Sequence, residues 1–397
     1  MVQILKGIKV VDMTQAAAGP SCTKVLTEFG ADTILVEAPE GNTCRNFNNI
    51  TFYSGGKRSL AVNLKNPQGI EVMYRLCKDA DVFVSNYRTK GLKRLGLDYE
   101  TLHELNPRLI YATITGYGEE GPVKDAPGFD AIAFWARSGL HYSIRDAEGP
   151  LPLVRGGMGD LIAGQQLALG VCGALYHRTI TGKGLKVSAS LLSTGMFVGN
   201  NAIIESQYGE AFPVSRKRPA ISLINHYECT DGWVALVTLN FDRDFFNILK
   251  VLGRGDLEGD PRWKTMSDTE HEGAVEVVRI LDEAMGKLTC DEVVSRLASI
   301  DVGCQKIVHP LETFEDEQVR ANNYLYQITN PDGKTFWGPS TPVRIGDNMP
   351  AESKKSPNVG EHSSEVMREL GYSDSEIKEY MNNGAVVETA RWECTVK

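Results

Sequence analysis

The chain has 397 residues, of which 42% are hydrophobic, 23% charged and 8% aromatic. This length favours two domains, because single hydrophobic cores rarely grow beyond roughly 250 to 300 residues. The 51 acidic and 42 basic residues give a net charge of -9, which argues against a general nucleic-acid-binding protein, whose surface is basic. We expect no nucleic-acid partner, and an anionic ligand would require a local group of basic residues.

The amino-terminal residues MVQILKGIKVVDM lead directly into an apolar run and lack the cationic, apolar and small-residue order of a signal peptide. The longest apolar stretches are interrupted by Gln165, Gln166 or Asn200 before they reach the ~18 residues of a membrane helix. Eight cysteines are scattered without a C-x-x-C pair, which favours reduced thiols over a disulfide framework or a zinc ribbon. We therefore expect a cytoplasmic protein with no membrane partner.

Strands and helices are predicted to alternate through the first part of the chain. Residues 8–13 (IKVVDM) predict a strand, the next segment predicts a helix with Pro20 in its first turn, and TILVE predicts the following strand. The same order recurs with a helix that starts at Pro67, the strand VFVSN, the helix TLHELNP and the strand LIYATITG. This alternation predicts an α/β fold with a parallel sheet, in which ligands bind at the carboxyl ends of strands. Those ends are residues 14–19, 37–39, 86–90 and 116–118.

The character of the sequence changes near Pro213. Strands of a hairpin are predicted around Asp231-Gly232, helices follow to about Ala298, and the tail returns to a strand (FWGPSTPVRI) and a capped C-terminal helix. We predict a large Rossmann-like domain of residues 1–210, completed by about 325–397. A smaller α+β domain with its linkers is predicted for residues 211–324.

Asp160 is the strongest candidate for a reactive residue. It ends the segment RGGMGD, whose glycines are expected to place its carboxylate on a loop that a bulky ligand can approach, directly before a long and largely buried helix. Asp is also a favoured helix N-cap, so the spacing alone leaves a purely structural role open. The sequence contains no G-x-S-x-G elbow, Walker loop, H-E-x-x-H motif or dinucleotide fingerprint, and a nicotinamide enzyme is therefore disfavoured.

Five ordered segments resemble one protein family. The chain is similar to the class III (family III, CaiB/BaiF) CoA-transferases, which include the formyl-CoA, carnitine and bile-acid CoA-transferases. Within the family, YRTKGLKRLGLDYETL and ITGYGEEGP are most similar to the clostridial 2-hydroxy-acid (phenyllactate and 2-hydroxyisocaproate) CoA-transferases. The matching segments are LKGIKVVDMTQAAAGPSCTKVLTEFGADTILVE, the stretch from GKRSLAVNLKNPQG to ITGYGEEGP, PGFDAIAFWARSG, GDLIAG and NVGEHSSEVMRELGYSDSEI.

The resemblance implies that Asp160 is the nucleophile. It would attack the donor thioester to give a mixed anhydride, and the released CoA thiolate would then form an aspartyl-CoA thioester, so that the acyl exchange is divided into easier covalent steps. Backbone N–H groups near Gly159 would stabilise the developing oxyanion. The family fold is an interlocked homodimer. Coenzyme A thioesters are substrates, and we expect no permanently bound cofactor and no metal.

The resemblance also implies a set of CoA contacts. Basic residues and N–H donors are required because CoA carries a diphosphate and a 3′-phosphate. For the basic members, a solvated helix face is the alternative interpretation. The predicted CoA-binding residues are Ala16, Ala17, Ala18, Asn86, Tyr87, Arg88, Lys90, Arg94, Leu95, Lys57 and Arg58.

Several departures from the family pattern concern the acyl pocket. Ala17 stands where formyl-CoA transferase has glutamine, Ala38 replaces an arginine, and VSRKRPAISLIN contains no counterpart of its glycine-rich loop. These departures weaken an oxalate or formate assignment and favour a roomier, more apolar pocket. Its aromatic walls, which core packing would explain equally well, are predicted to be Phe52, Tyr53, Phe129, Phe134 and Trp135.

A racemase of the same fold is the alternative closest in sequence. The α-methylacyl-CoA racemases carry a histidine in a G-H-D motif, where this chain has Gly128, Phe129 and Asp130. Phenylalanine cannot carry a proton, and a racemase is therefore disfavoured. We expect Phe129, Asp130 and Gly159 to position the substrate or the nucleophile, unless Asp130 only caps a helix.

The leading hypothesis is a CoA-transferase that moves CoA from an acyl- or enoyl-CoA to an (R)-2-hydroxy acid such as 2-hydroxyisocaproate or phenyllactate. A second hypothesis keeps the reaction and changes the acceptor to carnitine, a bile acid or a dicarboxylate. A third is a CoA-binding protein without activity. The expected partners are the acyl-CoA, the carboxylic acid and a second copy of the chain.

Overall fold

The computed structural model describes residues 3–42, 45, 50–209, 212–330, 332–346 and 355–389. Within them, the contact pattern separates two compact units. The smaller unit comprises His141–Leu153 and Asn201–Asp316, and the larger unit comprises the remaining described residues. The sequence interpretation assigned residues 141–153 and 201–209 to the larger domain and residues 317–324 to the smaller one.

The strands and α-helices alternate in the order expected of an α/β protein. The strands are β1 (Lys9–Met13), β2 (Asp32–Glu37), β3 (Arg58–Val62), β4 (Val82–Ser85), β5 (Ile110–Thr115), β6 (Lys186–Ser190), β7 (Ile224–Cys229), β8 (Gly232–Val237), β9 (Gly303–Lys306), β10 (Leu325–Thr329), β11 (Thr335–Pro339) and β12 (Val386–Val387). The α-helices are α1 (Ala18–Glu28), α2 (Ile50–Ser54), α3 (Pro67–Lys78), α4 (Thr89–Leu95), α5 (Tyr99–Leu105), α6 (Leu140–Ser143), α7 (Met158–Thr181), α8 (Leu191–Val198), α9 (Asn200–Glu205), α10 (Phe241–Val251), α11 (His271–Met285), α12 (Cys290–Ala298), α13 (Glu317–Ala321), α14 (Ser363–Glu369) and α15 (Asp374–Asn382).

The larger unit is built on a sheet that has seven strands among the described residues, in the order β12-β3-β2-β1-β4-β5-β6. All neighbouring pairs are parallel except β12, which runs antiparallel to β3. The mixed α/β class with a parallel sheet, predicted from the sequence, is confirmed. The parallel arrangement brings the carboxyl ends of β1, β4 and β5 to one edge of the sheet.

Both faces of this sheet are buried, because side chains alternate along each strand. Val10 and Val84 belong to a core that includes α1 and α7, whereas Val11 and Phe83 belong to a core that includes α3. Because both faces are buried, the sequences of these strands are near-continuous apolar runs. At α3, Asn66 caps the helix and Pro67 occupies its first turn, as predicted.

Helix α7 packs closely against α1, and Gly164 lies at their contact. A Cβ atom at Gly164 would lie 1.8 Å from Ser21 Oγ and 2.5 Å from the carbonyl oxygen of Ala18. Ser21 Oγ donates hydrogen bonds to the carbonyl oxygens of Ala18 (2.8 Å) and Asp160 (3.2 Å). Only a residue without a side chain allows this approach, which joins the two helices beside Asp160.

Among the described residues, α7 alone is long and apolar enough to cross a membrane by length and composition. This test accepts the helix despite Gln165 and Gln166. Leu167 and Val171 lie on its buried face, in the core with α1. A helix buried in a protein core requires the same apolar composition.

The smaller unit contains the antiparallel sheet β7-β8-β9 and the helices α10, α11 and α12. The hairpin predicted at Asp231-Gly232 is present, because β7 ends at Cys229 and β8 begins at Gly232. Thr289 and Glu292 form a capping box at the start of α12. Helices run to Ala298, as predicted.

The C-terminal tail returns to the larger unit. The strand predicted in FWGPSTPVRI corresponds to β11, which is shorter and pairs with β10. The predicted cap of the last helix is confirmed, since Ser373 and Glu376 form a capping box at α15.

The contact at Gly164 predicts a position-specific effect on stability. Gly164→Ala is expected to lower the free energy of unfolding by about 1–3 kcal/mol, because the added methyl group overlaps the α1 backbone. Gly173, in the same helix, is the matched control: a Cβ atom there meets no atom within 4 Å. Gly173→Ala is expected to be neutral or to stabilise by up to about 1 kcal/mol. Urea denaturation of both variants measures the difference, and a Gly164→Ala variant as stable as the parent would contradict the packing argument.

Candidate active site at the carboxyl edge of the sheet

A cavity of about 470 Å³ lies at the carboxyl ends of β1, β4 and β5, in the larger unit. Three of the four strand ends selected from the sequence contribute to its wall, whereas residues 37–39 after β2 do not. The lining residues are Gln15, Ala16, Ala18, Asn86, Tyr87, Arg88, Thr89, Ile114, Thr115, Gly116, Lys124, Ala126, Pro127, Gly128, Phe129, Asp160 and Leu191.

Asp160 faces this cavity from the first turn of α7. The expectation of a loop position is wrong, because the helix already begins at Met158 and its N-cap is Gly157, with a φ of 104°. This left-handed backbone conformation favours glycine. The N-cap alternative for Asp160 is therefore also wrong, and the carboxylate instead lies near the positive end of a 24-residue helix.

Asp130 is the second carboxylate of the site. It is buried, with 5% of its surface exposed, and its Oδ1 accepts a hydrogen bond from the backbone N–H of Asp160 at 3.0 Å. Its Oδ2 is buried without a hydrogen-bond partner among the described residues. Asp130 begins a π-helix, Asp130–Ala136, a form often found at functional sites. The predicted positioning role for Asp130 is thus compatible with a direct contact to the backbone of Asp160.

The surroundings of Asp160 disfavour its ionisation. Burial, followed by the negative charge of Asp130, raises the pKa of Asp160 to about 7. Burial and the charges of Asp160 and Asp130 also raise the pKa of Tyr53 to about 12. Asp160 has no ion-pair partner among the described residues. Its carboxylate is therefore poorly solvated and not neutralised, as a reactive group requires.

The space around position 159 admits only a glycine. A Cβ atom at this position would lie 2.1 Å from Cγ of Phe134 and 2.6 Å from Oδ1 of Asp130. Any larger residue would separate the π-helix from α7 and disturb the contact between Asp130 and Asp160. Gly159 thus acts by allowing close approach, while its own backbone stays inside the helix.

Asn86 joins the ends of β4 and β1. Its Oδ1 accepts from the backbone N–H of Gln15 at 2.9 Å, and its Nδ2 donates to the carbonyl oxygen of Gln15 at 2.6 Å. The Gln15 side chain donates to the Tyr87 hydroxyl at 2.5 Å, and burial raises the pKa of that hydroxyl. Beside them, Ala16 has a φ of 60°, an unusual conformation for a residue with a side chain. The predicted residues Ala16, Asn86 and Tyr87 therefore form one connected wall.

The other predicted CoA contacts divide into two groups. Ala18 and Arg88 line the cavity, whereas Ala17, Lys90, Arg94 and Leu95 are absent from its lining. Ala17 is the N-cap of α1, and Leu95 packs against the core on the α3 face.

Lys57 and Arg58 are bound to carboxylates elsewhere in the larger unit. The Lys57 ammonium is buried and contacts Asp12 at 2.8 Å and Thr23 at 2.7 Å. The Arg58 guanidinium forms ion pairs with Asp32 and two acids of α14. Neither side chain lies in the lining of the cavity, and the ion pairs explain both residues without a CoA contact.

Among the predicted aromatic walls, Phe129 alone lines the cavity, and it is 66% exposed. Phe134 and Trp135 are buried in the core shared with α1 and α7, which favours their packing role. Tyr53 is buried and stacks edge to face on Phe52. No group of three potential metal ligands occurs among the described residues.

The sequence interpretation did not name Gln15, Lys124 or Leu191 as ligand contacts. Gln15 lies two residues after β1, within the strand end 14–19 that the sequence analysis selected, so its position after a parallel strand was a usable signal. Leu191 directly follows β6, and its strand end was not selected from the sequence, whereas Lys124 lies nine residues after β5 and reaches the cavity only in the folded chain.

The raised pKa of Asp160 predicts a pH-dependent effect on stability. Ionising this carboxyl destabilises the folded state, so the cost is absent below about pH 4 and complete above about pH 7. Asp160→Asn is therefore expected to be more stable than the parent at pH 8, by on the order of 2 kcal/mol, and equal to it at pH 4. Chemical denaturation at the two pH values measures this gain. The control is Glu104→Gln, which changes an exposed acid on α5. A stability gain of equal size at pH 4 and pH 8 in Asp160→Asn would contradict the argument.

Comparison with known proteins places this site in context. The family model described as CoA-transferase family III matches residues 5–363. The chain is 33% identical to an (R)-2-hydroxy-4-methylpentanoate CoA-transferase of Clostridioides difficile, over 96% of this chain and 99% of the relative. It is also 33% identical to a cinnamoyl-CoA:phenyllactate CoA-transferase of Clostridium sporogenes, over 95% of each.

Solved structures agree with this assignment. A CaiB/BaiF family protein from Brucella suis matches with a TM-score of 0.80 and 28% identity, over 92% of this chain and 99% of that chain. The resemblance found in the sequence is confirmed. The chain belongs to CoA-transferase family III and is a CoA-transferase.

Proposed function

We propose that this enzyme transfers CoA from an acyl- or enoyl-CoA to an (R)-2-hydroxy acid through an aspartyl-CoA thioester on Asp160. The observation that carries the proposal is the carboxyl group of Asp160, which faces the cavity beside Asp130 without a neutralising cation among the described residues. A carboxylate that faces a cavity without a neutralising cation is suited to nucleophilic attack on an acyl group.

In the first half of the proposed reaction, an Oδ atom of Asp160 attacks the thioester carbonyl of the donor. The C–S bond breaks, CoA leaves as a thiolate, and Asp160 and the donor acyl group form a mixed anhydride. The thiolate then attacks the carboxyl carbon of Asp160. The donor acid leaves as a carboxylate, and Asp160 retains CoA as a thioester.

The second half repeats these steps in reverse. The carboxylate of the acceptor attacks the aspartyl thioester, releases CoA thiolate and forms a second mixed anhydride. The thiolate attacks the acyl carbon of the acceptor, which leaves as its CoA thioester and regenerates the Asp160 carboxylate. No net proton is transferred, and the thioester bond energy is conserved.

Two features of the chain would support these steps. The first turn of α7 carries a partial positive charge, which favours the oxyanion formed at the carboxyl of Asp160. The hydrogen bond from the Asp160 N–H to Asp130 holds the nucleophile's backbone in place. Asp130 is thus proposed as a positioning residue that also keeps the pKa of Asp160 high.

The choice of acceptor rests on the two clostridial relatives, whose names specify 2-hydroxy-4-methylpentanoate and phenyllactate. The lining of the cavity is compatible with an acid that has an apolar tail, because Ile114, Phe129 and Leu191 contribute to its wall. Ala16 and Ala18 are small and leave space beside Asp160. Carnitine, a bile acid or a dicarboxylate remains the second candidate for the acceptor.

An exchange assay tests the proposal. The purified enzyme, given cinnamoyl-CoA and labelled acids, is expected to transfer CoA to phenyllactate or 2-hydroxy-4-methylpentanoate with a kcat/KM about tenfold or more above that for oxalate. The rate is expected to rise as the pH increases through about 7, because the ionised form of Asp160 is the nucleophile. Asp160→Ala is expected to lose exchange and to retain CoA binding.

The covalent intermediate is tested on the same samples. Mass spectrometry of wild-type enzyme with donor thioester is expected to show CoA on the peptide that contains Asp160, and hydroxylamine is expected to remove it. Glu104→Gln serves as the control and should keep full activity. Exchange by Asp160→Ala would refute the nucleophile, whereas CoA binding without exchange for any acid would favour a protein without activity.

We also propose a homodimer, on the basis of an apolar surface of the larger unit. Leu169, Tyr176 and Ile180 are 68%, 70% and 69% exposed and lie on one side of α7, at spacings of seven and four residues. Phe197 of α8 is 72% exposed. Exposed apolar residues grouped on helices are typical of a subunit interface. The interlocked form implied by the resemblance, and the cytoplasmic location, stay predictions.

Sedimentation velocity tests the dimer. The wild-type protein is expected at twice the chain mass of 43.6 kDa. Ile180→Asp places a charge on the apolar surface and is expected to shift the protein toward the monomer at micromolar concentration. Glu104→Lys, which changes charge on a different surface, is expected to remain dimeric. A wild-type monomer at all concentrations would refute the proposal.

A further inference from the structure

The segment between β5 and the π-helix forms a loop whose ends nearly touch. A Cβ atom on Gly116 would lie 2.6 Å from the Cα atom of Gly128, and a Cβ atom on Gly128 would lie 2.4 Å from that of Gly116. The Tyr117 hydroxyl donates to the carbonyl oxygen of Pro127 at 3.3 Å across the same neck. Residues 116–128 therefore form a compact loop with a closed neck, of the kind that often carries function. We refer to it as the glycine-necked loop.

This loop forms one side of the cavity. Lys124, Ala126 and Pro127 belong to its lining, and the loop ends directly before Phe129 and Asp130. Inside it, the N–H of Ala126 donates to the carbonyl oxygen of Val123 at 2.9 Å, which holds the turn that carries Lys124. The loop thus brings a cationic side chain to the cavity and leads directly into the residue that holds Asp160.

Lys124 and Arg88 are the two cations of the cavity lining. Neither side chain has an ion-pair partner among the described residues. Other basic groups of the larger unit are neutralised: Lys186 pairs with Glu119 of the loop, and the Lys57 ammonium contacts Asp12. Two uncompensated cations on a cavity wall of a protein with a net charge of -9 favour an anionic ligand.

The two cations come from different parts of the chain. Arg88 is the N-cap of α4 and follows β4, whereas Lys124 is carried by the glycine-necked loop after β5. An anion held by both would connect these two walls. A phosphate group suits this arrangement, because it presents several oxygens and accepts charge-assisted hydrogen bonds from both arginine and lysine.

We propose that Lys124 is a phosphate-binding residue of this enzyme, and that it holds the nucleotide end of the CoA substrate together with Arg88. This inference rests on the proposed function, because it takes CoA as the ligand of the cavity. The phosphate is either the 3′-phosphate or the diphosphate of CoA. In both cases the ammonium acts on the bound substrate and takes no part in the chemistry at Asp160.

Calorimetry of CoA binding tests this role. Lys124→Gln is expected to weaken CoA binding about tenfold and to raise the KM of the acyl-CoA donor by a similar factor. The kcat and the KM of the acceptor acid are expected to stay unchanged, because the contact is equal in the ground state and the transition state. Lys124→Arg, which keeps the charge, is expected to restore most of the affinity.

Dephospho-CoA distinguishes the two sources of phosphate. If Lys124→Gln binds CoA more weakly than the parent but binds dephospho-CoA equally well, Lys124 contacts the 3′-phosphate. If the variant loses the same affinity for both ligands, Lys124 contacts the diphosphate. Lys93→Gln is the matched control, because Lys93 is an exposed lysine of α4 outside the cavity lining. This variant is expected to bind CoA like the parent.

Two results would overturn the inference. In the first, Lys124→Gln binds CoA as tightly as the parent does. In the second, only the KM of the acceptor acid changes in this variant, which would place Lys124 at the carboxylate of the acid. Both leave the proposed transfer reaction intact. Failure of the wild-type enzyme to bind CoA would instead refute the proposed function itself, so the two failures are distinguishable.

Discussion

The contact between Asp130 and the backbone of Asp160 is the interaction on which the site depends. Two carboxyl groups are brought together in a poorly solvated position, where burial and the negative charge of Asp130 raise the pKa of Asp160. Such a pair costs stability and persists only if the surrounding structure holds it. The hydrogen bond from the Asp160 N–H to Asp130, and the absence of a side chain at Gly159, supply that support.

The support extends outward through close backbone contacts. Gly164 allows α1 to approach α7 beside Asp160, and the pair Gly116 and Gly128 closes the neck of the loop that precedes Asp130. At each of these glycines, atoms of a distant segment occupy the space that a side chain would fill. The helices, the π-helix and the loop can therefore pack closely around the cavity, because glycine at these positions leaves room for the neighbouring segment. The apolar cores on both faces of the sheet also hold them there.

Function follows from the position of this arrangement in the fold. Parallel strands place their carboxyl ends at one edge, so the residues after β1, β4 and β5 share one cavity. The chain carries Asp160 at the start of α7, and Arg88 and Lys124, which have no ion-pair partner among the described residues, on other walls of the same cavity. A long ligand with an acyl end and a phosphate end matches this separation of charge.

The sequence by itself determined the α/β class and three of the strand ends that line the cavity, because strand and helix periodicity are local properties, and its resemblance to the family singled out Asp160 as a candidate. It did not determine that Asp160 lies inside α7, or that Lys57 and Arg58 bind carboxylates away from the cavity. These outcomes depend on contacts between residues distant in the chain. Only the tertiary structure decides which charges meet, which glycines face a neighbouring backbone and which lysine reaches the cavity.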